Sequence, residues 1–101
     1  MMDRLEKEVD MLLRHFDVLG MVLENEPIGI VRMSNETGYE HHKVRYSLRV
    51  LEEEQLIEPT NQGATTTDQA REFVAELDDS IENINDKLQV MKTGEELEAG
   101  H

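Results

Sequence analysis

Residues 41–49 hold Lys43, Arg45 and Arg49, the pair His41 and His42, and Tyr46, yet not one Asp or Glu, although acids outnumber bases 23 to 10 over the chain. Such a set is suited to anions. Arginine forks onto a phosphate or onto the O6 and N7 edge of guanine, lysine offers a point charge, and tyrosine and histidine supply single hydrogen bonds. Two other groups invite different chemistry and fail on spacing. His41 and His42 are neighbours, which on a helix point about 100° apart and do not chelate one ion. Glu52, Glu53 and Glu54 have no adjacent nucleophile or imidazole to complete a catalytic constellation. With no nucleotide-binding loop and no nucleophile motif, the expectation is a non-enzyme with no metal, no cofactor and no small-molecule effector.

Composition narrows the partners further. The formal net charge of −13 opposes general attraction to nucleic acid or anionic lipid, so any polyanion contact must be local. Acid richness with few lysines and few aromatics resembles proteins of salt-accumulating, halophilic cytosols, where at about 1 M salt the Debye length is about 3 Å and repulsion is screened within one contact shell. The chain has no cysteine, hence no disulfide framework, and no apolar run of membrane-spanning length. A soluble cytoplasmic protein, nucleoid-associated and without a membrane partner, is expected.

The elements that position these residues follow from periodicity. Leu5, Val9, Leu12, Phe16, Leu19 and Leu23 recur at alternating steps of 4 and 3, predicting a first helix over 3–24 that Pro27 terminates. Ile30, Met33 and Thr37 mark a short second helix capped by Gly38, and Tyr39 is expected to plug the core behind it. Val44, Leu48 and Leu51 define the inner face of a third helix over 40–55, which leaves the cationic set outside. Residues 56–60 and 64–66 form a hairpin about a turn at 61–63, and Thr66 with Gln69 makes a capping box that opens a fourth helix.

This order, with IVRMSNETGYEHHKVRYSLRVLEEEQLIEP at its centre, resembles the winged helix-turn-helix transcriptional regulators. The matching positions are Ile30 and Met33, Thr37-Gly38-Tyr39, the ladder Val44, Leu48 and Leu51, then Glu52 to Glu54 and Leu56-Ile57. The layout is also similar to small archaeal DNA-binding proteins that append a C-terminal coiled-coil helix and dimerise through it. The resemblance implies a mainly α fold with a small β-hairpin, a winged helix-turn-helix over 1–67, a coiled-coil helix over 68–92 and a disordered tail over 93–101. It further implies double-stranded DNA as the partner and a third helix that reads the major groove through His41, His42, Lys43, Arg45, Tyr46 and Arg49, with Arg32 as a further phosphate contact. Two departures stand out. Glu40 is a poor N-cap, and the wing offers only the neutral groups of Thr60, Asn61, Gln62 and Thr65.

From Val74 the spacing becomes a strict heptad: Val74, Ile81 and Leu88 at a, Leu77, Ile84 and Met91 at d. A helix over 68–92 would be about 37 Å long at 1.5 Å per residue, more than a domain this small can cover, so a homodimer is expected. A parallel pair sets Lys87 against Lys92, whereas an antiparallel pair matches Val74 with Met91, Leu77 with Leu88 and Ile81 with Ile84, and is favoured. The expected function is sequence-specific transcriptional regulation. An architectural chromatin protein and a winged-helix protein-interaction adaptor are the alternatives.

Overall fold

A computed structural model describes residues 1–92; the segment expected to be a disordered tail, 93–101, lies outside the described residues. The order is α1 (Met2–Asn25), α2 (Ile30–Thr37), α3 (His41–Glu53), β1 (Ile57–Thr60), β2 (Gly63–Thr66) and α4 (Asp68–Met91). This is a mainly helical winged helix-turn-helix with a long C-terminal helix. The chain divides into two compact units, Met1–Ala70 and one that begins at Arg71.

In the first unit the apolar faces of α1, α2 and α3 meet the hairpin. Val18, Val22, Met33 and Val44 are wholly buried, with Leu19, Ile28, Leu51 and Ile57 almost so. Three helices of this size bury too little alone, and the hairpin closes the remaining side of the core. The predicted first helix forms, and the regular stripe on it is buried only in part. The stripe that enters the core is His15, Val18, Leu19 and Val22, while Leu5, Val9 and Leu12 stay about half exposed. The core stripe contains a histidine, which a search for apolar periodicity passes over.

The helix-turn-helix corner is fixed locally. Gly38 takes the left-handed conformation at φ 83, its amide donating to the Ser34 carbonyl, and Thr37 donates its hydroxyl to the Met33 carbonyl at 2.6 Å. Tyr39 is no core plug: it is half-buried, and its hydroxyl donates to Asp17 Oδ2 at 2.6 Å. A phenol needs a polar partner for its hydroxyl, and Asp17 at the rim supplies it. That bond first, then burial, raise the Tyr39 pKa above its ordinary value.

The wing is an antiparallel hairpin with Ile57 opposite Thr66 and Thr60 opposite Gly63. The connector after α1 adds to it, since Ile28 and Ala64 exchange both backbone hydrogen bonds, at 3.1 and 2.8 Å. Gly63, at φ +128, makes this approach possible; a Cβ there would lie 2.6 Å from the Ile28 carbonyl carbon. The expected capping box at Thr66 is not formed. The Thr66 amide and hydroxyl both donate to the Glu26 carboxylate, at 2.8–3.0 Å, and Thr67 donates its hydroxyl to the Gln55 carbonyl. A carboxylate accepts two donors at once more strongly than an amide oxygen accepts one, so Glu26 takes Thr66.

Candidate nucleic-acid interface

Helix α3 buries Val44, Ser47, Leu48 and Leu51. At about 100° per residue, the direction opposite this stripe belongs to His42, Arg49 and Tyr46, with Arg45 on one flank and Lys43 on the other. All of these, and His41, are exposed. Among the described residues no carboxylate lies within ion-pair distance of Lys43, Arg45 or Arg49; nearby, Arg32 pairs with Glu36 and the His42 ring contacts the Glu40 carboxylate, each at 3.2 Å. The ladder thus turns an unneutralised cationic surface to solvent on a protein of net charge −13.

The N-terminus of α3 has no side-chain cap. Glu40 instead turns its carboxylate to His42 Nδ1, and while the Lys43 amide donates to the Glu40 carbonyl, the amides of His41 and His42 are left for an outside acceptor, where the helix dipole favours an anion. Lys43 belongs to the same first turn.

Expected contacts elsewhere are more occupied. Arg32 donates to Glu36 at 3.2 Å and to Asn25 Oδ1 at 3.0 Å, so a phosphate would have to compete for it. In the wing, Thr60 gives its hydroxyl proton to the Gly63 carbonyl at 2.6 Å and Thr65 directs its own to the Glu58 carbonyl at 3.4 Å. Each threonine has one proton to give. That leaves the exposed side chains of Asn61 and Gln62 as the wing's donors.

Sequence reasoning missed the group that seats α3. Ser47 is fully buried; its Oγ lies 2.7 Å from His15 Nδ1 and accepts from Arg14 Nε at 3.1 Å. With Arg14 already donating to the oxygen, the serine proton is available to Nδ1 of a neutral imidazole. Burial, then the adjacent Arg14 guanidinium, hold the His15 pKa below its ordinary 6.5 and keep the ring neutral at pH 7. The ring also packs on Tyr46, centroids 5.7 Å apart, which draws the tyrosine toward α1. The available signal was a polar residue, Ser47, inside an apolar ladder, with His15 and Arg14 on α1.

In α4 the expected seam is uncovered from its third residue onward. Val74 and Leu77 are half-buried, and Ile81, Ile84, Leu88 and Met91 are exposed. No helix among the described residues is long and apolar enough to cross a membrane.

No protein-family model matches the chain, and no curated protein matches it. Its structure is similar to that of a protein of unknown function from Listeria innocua, with a TM-score of 0.59 at 23% identity over 97% of this chain and 82% of that one. At that identity the likeness concerns the fold alone.

Proposed function

We propose that the chain is a homodimeric transcriptional regulator that binds double-stranded DNA in a sequence-specific manner, with α3 in the major groove and α4 as the means of self-association. One observation carries this reading: the outward face of α3 bears Lys43, Arg45 and Arg49 without a neutralising carboxylate, on a chain where acids exceed bases more than twofold. Unpaired cations on one face and acids elsewhere suit a duplex whose phosphates flank a groove the width of a helix. Arg45 and Arg49 have the geometry for guanine edges, Lys43 and the uncapped helix end for phosphate. The role is binding, with no catalytic step and no cofactor.

Footprinting on genomic fragments at matched salt tests it. Protection of one defined sequence, lost in Arg45→Glu/Arg49→Glu while the oligomeric state is kept, is the expected result. Uniform coverage would make the protein architectural, and the absence of any protection would make α3 a protein-docking surface.

A further inference from the structure

Helix α1 carries two apolar faces, and the fold uses one. His15, Val18, Leu19 and Val22 enter the winged core, whereas Leu5, Val9 and Leu12 point about a quarter of a turn away and are 48%, 56% and 48% exposed. Their steps of 4 and 3, continued by Phe16, are those of a coiled-coil seam rather than of a helix packed on a globular core. A helical half-length with an uncovered seam is marginal in water by itself.

We propose that this second seam is the other wall of the dimer interface, occupied by α4 of a second copy running antiparallel to it; the proposal rests on the self-association read above. Complementarity points to that occupant. With Leu5 and Leu12 at d and Val9 at a, the flanking e and g positions of α1 are Glu6 and Glu8. Over the stretch from Ile81 to Leu88 the corresponding flanks of the α4 seam are Asn85 and Lys87. One antiparallel register aligns Leu5 with Leu88, Val9 with Ile84 and Leu12 with Ile81 of the partner subunit, and the same register brings Glu8 to Lys87 and Glu6 to the neutral Asn85. A second copy of α1 in that place would instead oppose acid to acid. The α4 residues concerned are also open, with Ile81, Ile84 and Leu88 47%, 56% and 53% exposed. Size argues the same way, because a stable interface takes about 20–30 residues a side and a six-residue seam with its flanks falls short. Adding α1 gives each subunit two seams, and a seam in a four-helix bundle meets two neighbours.

The chain has no cysteine, so cross-linking needs no background removal. Full-length Val9→Cys chains are mixed with tagged Ile84→Cys chains and oxidised, beside the out-of-register pair Leu12→Cys with Leu88→Cys. The expected result is a covalent heterodimer from the first pair at least tenfold in excess of the second. Glu8→Lys should weaken dimerisation about tenfold at low salt, Glu8→Lys/Lys87→Glu should restore it, and both effects should fade at about 1 M salt. A sedimenting dimer that links through α4 alone, in Ile81→Cys with Ile84→Cys, overturns this inference and leaves the homodimer standing. A sedimenting monomer overturns the homodimer itself. In the doubly substituted chain Val9→Cys/Ile84→Cys, a link within one monomer overturns the inference by seating the chain's own α4 on the seam.

Discussion

Replacing Ser47 by alanine removes one oxygen from the contact between α1 and α3, and its cost can be worked from the partners. The residue is fully buried, and Ala fits the same space, so no packing is lost. Two hydrogen bonds go. Arg14 is half-exposed and its guanidinium rehydrates, which makes that bond worth about 0.5 kcal/mol. His15 keeps its ring buried with Nδ1 left without its 2.7 Å partner, a loss of about 1–2 kcal/mol for an unsatisfied buried acceptor. The sum is about 2 kcal/mol, or about 10 °C in Tm for a chain of this size. Urea unfolding followed by helical circular dichroism at one fixed protein concentration, since dimerisation makes stability concentration-dependent, measures it. DNA affinity should fall in parallel as α3 loosens on α1. A change below about 0.5 kcal/mol would refute the reasoning, because it would mean that the hydroxyl exchanges its partners for water at no cost.

The other predictions bear on charge, backbone and burial. His15 has a folded pKa below 6.5, so the unfolded chain takes up its proton first; its contribution to stability is complete above pH 6.5, declines as pH falls from there to the folded value, and is flat below it. His15→Leu should flatten that part of the unfolding profile. With Lys43 on a phosphate in each subunit, Lys43→Ala should make the salt slope of binding shallower by about 2, which is about tenfold less affinity lost between 50 and 200 mM salt by fluorescence anisotropy, whereas Arg45→Ala/Arg49→Ala should leave the slope nearly unchanged and cost about 1–3 kcal/mol for each guanine contact. Gly63→Ala, at φ +128 and with its Cβ against the Ile28 backbone, should cost about 3 kcal/mol or more in urea unfolding. Ser34→Ala should stabilise by about 1 kcal/mol in the same measurement, because the Ser34 hydroxyl is buried with no hydrogen-bond partner.

The fold was legible wherever a pattern has a single structural solution. Thr37-Gly38 announced the left-handed corner, and the ladder Val44, Leu48 and Leu51 oriented α3, because spacing alone decides which way a helix turns its side chains. The cationic face of α3 followed from that ladder, and its composition was visible directly. What escaped was decided by contacts between distant residues. The regular 4–3 seam of α1 drew attention to Leu5, Val9 and Leu12, although the core takes the less regular His15, Val18, Leu19 and Val22; nothing local says which of two apolar stripes faces inward. Thr66 satisfies the local rule for a capping box, but the Glu26 carboxylate, 40 residues away in sequence, takes its donors. The third strand-like residue, Ile28, has no neighbours of strand character and is recognisable only from its exchange with Ala64.

The hairpin turn closes on itself: Thr60 serves Gly63 and also accepts from the Gln62 amide, which leaves two amide side chains at the tip. A loop that consumes its own donors makes a short, stiff finger with little grip on a sugar–phosphate chain. Under the regulatory reading, each subunit then inspects only the few base pairs that a single helix spans, and selectivity among genomic sites must come from the fixed distance between two small half-sites.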